Sequence, residues 1–170
     1  MLRRCFDNKY KERQPTYKDV TCCNRWLCYA NFLEDFEILK QEYNWSTNEK
    51  LNLDKDILYR DNKIYSLENC VLVPSWINML FVKNNATRGN YPIGVSYDKK
   101  NKKYQARCNI NGKLESLGYF NIIEEAFNVY KIAKENEIKR IANDCIQKGY
   151  ITKDSRLYKA MINYKVEIDD

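Results

Sequence analysis

The stretch that most restricts the fold is Lys103-Tyr104-Gln105-Ala106-Arg107-Cys108-Asn109-Ile110, followed at once by Asn111-Gly112. Even positions are apolar or small and odd positions are polar or basic. That period of two belongs to a strand with one face buried and the other in water. Asn-Gly supplies the positive φ angles of a two-residue hairpin turn. The chain must therefore double back into another strand, from about Lys113 to Tyr119. Upstream, Val95 and Tyr97 share one face of a preceding strand, so two hairpins make a three-stranded antiparallel sheet. A sheet this small needs cover on its apolar face. The cover follows directly: Ala126, Phe127, Tyr130, Ala133, Ile138, Ile141, Ala142 and Cys145 mark one side of a long helix, about Ile123 to Gln147, with Gly149 as its stop.

The remainder reads as smaller elements. Trp26, Tyr29, Phe32, Leu33 and Phe36 have helical spacing and predict a helix over about 25–43. Leu51, Leu53 and Ile57 lie near a short strand, Asp61-Asn62-Lys63 makes a turn, and Cys70 to Val73 is a second strand stopped by Pro74. A helix starts at Ser75 and runs through Phe81. The polar stretch Asn84 to Asn90 marks a domain boundary. Leu157 to Tyr164 reads as a last helix, and Val166 to Ile168 as a closing strand. The expected class is α+β, divided into 1–85, 91–150 and a 151–170 extension.

Charge narrows the partners. The chain has 170 residues, 44% apolar and 31% charged, a globular composition with a net charge of +6. Between Pro92 and Leu114 there are six basic residues against the single acid Asp98, so the charge is concentrated on the sheet. A local basic patch points to a polyanion, most often nucleic acid; the plainer reading is a solvated lysine-rich turn. The polar face carries Lys103, Gln105, Arg107 and Asn109, flanked by Lys99, Lys100, Lys102 and Lys113. Lysines attract phosphate without reading sequence, whereas arginine bonds guanine, and glutamine or asparagine bonds adenine. The seven cysteines include no C-x2-C pair and the chain has no histidine, so no zinc site is expected. Reduced thiols and a cytoplasmic protein are the simplest account, and no apolar run is long enough to span a membrane.

Tyr91-Pro92-Ile93-Gly94-Val95-Ser96-Tyr97, Lys103 to Arg107, Gly112-Lys113, Leu117-Gly118-Tyr119-Phe120, Glu124-Glu125-Ala126-Phe127 and Tyr130 together resemble the Apetala-two/ethylene-response-factor DNA-binding domain. The resemblance implies a sheet lying in the major groove of double-stranded DNA, with Ser96, Lys103, Gln105, Arg107 and Asn109 facing it. Glu115 departs from an apolar position of that pattern, and Ser116 stands where a larger reader is common.

The order Asp54-Lys55-Asp56, Glu68-Asn69-Cys70, Trp76-Ile77-Asn78 resembles the H-N-H motif of ββα-metal endonucleases. The whole chain is similar to phage H-N-H homing endonucleases carrying an Apetala-two-type domain, which implies a phage protein acting in a host cell. The resemblance implies Mg2+ held by Asp54 and Asn78, with Asn69 orienting the base. Lys55 falls where the histidine base belongs. An ordinary lysine, with a pKa of ~10.4, is protonated at neutral pH and takes no proton from water. Asp56, at ~3.9, is a poor substitute base or water positioner. Three readings follow: a duplex DNA-binding protein with little or no nuclease activity; a Mg2+-dependent endonuclease using Asp54, Asn69 and Asn78; and a phage protein that holds and blocks a host protein or RNA. The sequence leaves the oligomeric state open.

Overall fold

The computed structural model describes residues 1–83 and 90–168. The predicted linker at Asn84 to Asn90 lies outside them except for Asn90. The chain is α+β and separates into two compact units, one of Met1–Phe81 with Ile146–Ala160, the other of Val82–Cys145 with Met161–Asp170. Among the described residues, no helix is long and apolar enough to cross a membrane.

The first unit opens with short helices, α1 (Leu2–Phe6) and α2 (Asn8–Arg13). Asp7 joins them by capping α2, accepting the Tyr10 N–H at 3.0 Å. A two-residue strand β1 (Thr21–Cys22) pairs in parallel with β3 (Ile64–Tyr65). The helix expected over 25–43 is split: a 3-10 turn, Asn24–Leu27, precedes α3 (Tyr29–Gln41), and Cys28 between them is extended. The split re-aims the aromatic stripe. Trp26 is buried, but Tyr29 is 74% exposed. The reason is polar: Asp35 is buried on α3 and accepts from the Trp26 indole at 2.7 Å and from Arg25 Nε at 3.1 Å. Those bonds fix the turn that breaks the helix.

Strand β2 (Leu51–Asp54) pairs antiparallel with β4 (Val71–Pro74), with Asp54 opposite Val71. Helix α4 (Ser75–Asn78) follows without a gap and tightens into a 3-10 turn, Met79–Phe81. Ile57 lies beyond β2, and Pro74 is the last residue of its strand. The antiparallel pair of β2 and β4 thus leads straight into a helix, with β3 between its strands in sequence but paired to β1. Its hydrophobic core joins Cys5, Val20, Cys22, Trp26, Leu39, Tyr65, Cys70 and Leu72.

The second unit is the sheet of β5 (Val95–Asp98), β6 (Lys103–Ile110) and β7 (Lys113–Phe120), all antiparallel, backed by α5 (Ile123–Gln147). Val95, Ala106 and Cys108 pack against Ala126, Phe127 and Tyr130, with Leu117, Phe120 and Ile123 around them. The hairpin turn has Asn111 at φ 52 and Gly112 at φ 76, as the Asn-Gly pair predicts. A bulge interrupts the β6–β7 register: Ala106 faces Gly118, but the next residue, Arg107, faces Ser116. The final helix α6 is Arg156–Asn163. No strand forms at Val166 to Ile168; Val166 is instead buried, its N–H donating to Glu135 Oε1 at 3.1 Å. A buried carboxylate on the helix, not a sheet edge, takes that backbone group.

A second buried carboxylate holds the hairpin tip. Glu137 Oε1 accepts the Asn111 N–H at 2.9 Å, and Arg140 donates to both Glu137 oxygens at 2.8 Å. The Arg140 bonds hold the Glu137 carboxyl below its usual range. Its contribution is therefore complete above the ordinary glutamate range of ~4.3 and is lost as pH falls through the lower folded value. Glu137→Gln is expected to lower stability by about 1–2 kcal/mol at neutral pH. It should also flatten the acid limb of a denaturation series, so that wild type and variant converge at low pH. Parallel acid limbs would show that Glu137 is not the titrating group.

Candidate nucleic-acid interface

The outward face of the sheet follows from the pairing. Ser96 lies opposite Gln105, and Gln105 opposite Tyr119. Asp98 lies opposite Lys103, Arg107 opposite Ser116, and Asn109 opposite Leu114. Residues directly opposite share a face, so Ser96, Asp98, Lys103, Gln105, Arg107, Asn109, Leu114, Ser116 and Tyr119 form one surface. Arg107, Asn109, Lys103 and Ser116 are exposed, and Leu114 is 65% exposed. Among the described residues, the side chains of Ser96, Arg107 and Asn109 have no hydrogen-bond partner.

Lys99, Lys100 and Lys102 occupy the β5–β6 turn at one end of this face, all exposed. Lys113, expected to flank it, is exposed but lies opposite Ile110, on the core side of the sheet. None makes a salt bridge among the described residues. The acid that opens the β5–β6 turn is committed elsewhere. Asp98 accepts the N–H groups of Lys100 and Asn101 and the Asn101 amide at 2.7–3.2 Å. Those bonds, the Asn101 N–H first, hold its carboxyl below the usual range. Asp98 thus shapes the turn and leaves the ammonium groups unpaired, with Lys102 at φ 53.

Sequence reasoning named Gln105 as a reader but missed its supports. Gln105 Nε2 donates to Tyr119 OH at 3.1 Å and to Ser116 Oγ at 3.3 Å. A plain two-residue hairpin places Tyr119 on the core face; the bulge turns it outward. Glu115, opposite Cys108, is exposed rather than packed.

The strand–strand–helix segment is arranged differently from a nuclease with a free base. Asp54 ends β2, and its Oδ1 accepts the N–H groups of Asp56 at 2.7 Å and Ile57 at 2.9 Å. Its other oxygen takes no donor among the described residues. Burial pushes the Asp54 carboxyl above its usual range. A partly buried carboxylate with one open oxygen suits a cation. Asn78 closes α4 and is not hydrogen-bonded to Asp54. No group of three His, Cys, Asp or Glu residues converges among the described residues.

Lys55 is buried, at 5% exposure. Its ammonium donates to Asp56 Oδ1 at 2.6 Å, Asp56 Oδ2 at 2.8 Å and the Asn62 carbonyl at 2.6 Å. It also lies 5.9 Å from the Tyr65 ring centroid. Asn62 answers by donating its amide to the carbonyls of Lys55 and Ile64. Asn69 donates to Asn62 Oδ1 at 3.4 Å and to the Ile64 carbonyl at 3.3 Å. Asn69 therefore braces the turn, with Lys55 at its centre. Tyr65 OH accepts from Arg4, whose guanidinium lies 5.1 Å from the Tyr17 ring centroid. Arg4 and Tyr17 join this cluster without any local sequence signal.

Comparison with protein-family models, curated proteins and solved structures returns no match. The functional reading therefore rests on these two surfaces.

Proposed function

We propose that this chain binds double-stranded DNA by laying the β5–β7 face in the major groove, and that it does not cut. The observation that carries the reading is the outward face of β6. Arg107 and Asn109 are exposed and unbonded, and the lysines beside them make no salt bridge. Surface cations of a polar solvent face are ordinarily free to pair with neighbouring acids, but here the local acid is consumed in a turn. What remains is unneutralised charge at the rim and hydrogen-bonding side chains in the middle. That division suits phosphate contact around base contact. The resemblance to the Apetala-two/ethylene-response-factor domain supports the same orientation. Titration of a labelled duplex at low salt tests it: saturable binding is expected, and no binding removes the reading.

Asp54 and Asn78 are the residues that would hold Mg2+ in the H-N-H-like segment, where the ion would neutralise charge on a phosphate. The base is what this chain lacks. The three Lys55 ammonium hydrogens have three acceptors, and both Asp56 oxygens accept from that ammonium. The Lys55 ammonium has no lone pair for a proton from water, and Asp56 is committed to holding that ammonium. Duplex DNA incubated with Mg2+ or Mn2+ should accordingly stay intact with both the wild type and Asp54→Ala. Cleavage by the wild type that disappears in Asp54→Ala would replace the non-cutting part of the proposal with the endonuclease reading, for which the open Asp54 oxygen is the favouring observation.

A further inference from the structure

The side chain at the centre of the outward face is not a free glutamine. Gln105 has two amide hydrogens, and the structure gives each an acceptor: Tyr119 OH at 3.1 Å and Ser116 Oγ at 3.3 Å. Both acceptors come from β7, on opposite sides of the bulge that sets Arg107 against Ser116. The carbonyl oxygen of the same amide takes no donor among the described residues. A glutamine that bonds adenine bidentately needs one N–H and its oxygen both free. Gln105 offers the oxygen alone.

We infer that Gln105, Tyr119 and Ser116 act as one unit, in which the two hydroxyls hold the carboxamide so that its oxygen reads an amino base on one DNA strand. This rests on the proposed duplex binding and assigns the chemistry of one position within it. In the major groove, adenine N6 and cytosine N4 are donors, whereas thymine O4 and guanine O6, in the corresponding place, are acceptors. An acceptor fixed on the protein bonds the first pair and repels the second. The read position is therefore degenerate: adenine or cytosine is accepted, thymine or guanine rejected. Tyr119 and Ser116 are positioning residues; they need not touch DNA. Their effect is to remove rotamer freedom from a long side chain before binding instead of during it.

The test is selection of binding sites from a random duplex pool by the wild type, Gln105→Ala, Tyr119→Phe and Ser116→Ala. Thermal melting of each variant, and its affinity for an unrelated duplex, serve as controls. The wild type should enrich a motif with one position restricted to adenine or cytosine. Gln105→Ala should reduce the preference there by about tenfold. Tyr119→Phe should reduce it at the same position by about threefold or more, and Ser116→Ala should act at that position too. In Tyr119→Phe and Ser116→Ala the rest of the motif, the melting temperature and non-specific affinity should not change. Three results overturn the inference: Tyr119→Phe leaving the preference intact, Gln105→Ala acting on a position that selects thymine, guanine or adenine alone, or Tyr119→Phe weakening every duplex equally. Binding without any enriched motif leaves duplex binding standing and removes this inference. No binding at all removes both.

Discussion

Replacing Gly94 with alanine is expected to unfold the sheet unit at temperatures where the wild type is stable. Gly94 precedes β5 with φ 77, a left-handed conformation that costs an L-residue about 1–2 kcal/mol. The larger effect is steric. A Cβ at this position would lie 2.0 Å from Cδ2 of Tyr130, and 2.3 Å from both Cγ and Cε2. Tyr130 is a buried core residue of α5, so its ring cannot swing away without opening the interior. The Gly94 carbonyl is also fixed, accepting the Arg107 N–H at 2.9 Å. Overpacking a filled core costs typically about 1–3 kcal/mol, so the combined loss should be about 3 kcal/mol or more. That is a large share of the 5–15 kcal/mol by which domains are usually stable. Gly112→Ala is the control. Its φ is 76, yet nothing lies within 4 Å of an added Cβ. Melting curves should show Gly112→Ala losing about 1 kcal/mol and Gly94→Ala losing at least twice that. Equal losses would mean that the Tyr130 ring yields, and that the glycine serves only its backbone angle.

The sheet and its helix were legible because each rests on local periodicity. The alternation at 103–110, the Asn-Gly turn and the apolar stripe at 123–147 lead to β6, the hairpin and α5 with the same limits. The bulge was not legible. With the turn at 111–112, plain pairing sets 106 against 117 and sends Tyr119 into the core; one extra residue moves it opposite Gln105. Bulges depend on how both strands twist, which a single-strand pattern does not encode. The first unit resisted for a different reason. Its shape depends on polar groups far apart in the chain, such as Asp35 with Trp26 and Arg25, or Arg156 with Glu42 and the carbonyls of Leu67, Glu68 and Cys70. Hydrophobic periodicity carries no information about such pairs, so the break at Cys28 was read as continuous helix. The surroundings of Lys55 were equally hidden from local pattern. Its partners Asp56 and Asn62 make it the centre of a turn.

The largest functional effect should come from the charge at the rim of the sheet. Five cations, Lys99, Lys100, Lys102, Lys103 and Arg107, surround or lie on the proposed face, and all are exposed. Each phosphate neutralised releases condensed counterions, giving a slope of log affinity on log salt of about −0.9 per contact. With four or five of them on phosphate, raising salt from about 50 to 200 mM should weaken duplex binding by about 10²- to 10³-fold. Lys99, Lys100 and Lys103 can be reversed to glutamate together without touching the core. Lys102 is better left in place because it holds a positive φ. The central claim is tested most directly by the affinity of the wild type and this triple variant for a duplex across a salt series. The account predicts steep salt dependence in the wild type, and a variant weakened by at least about 10²-fold at low salt with a shallower slope. Wild-type binding that ignores salt, or a triple variant that binds as tightly as the wild type, would contradict it.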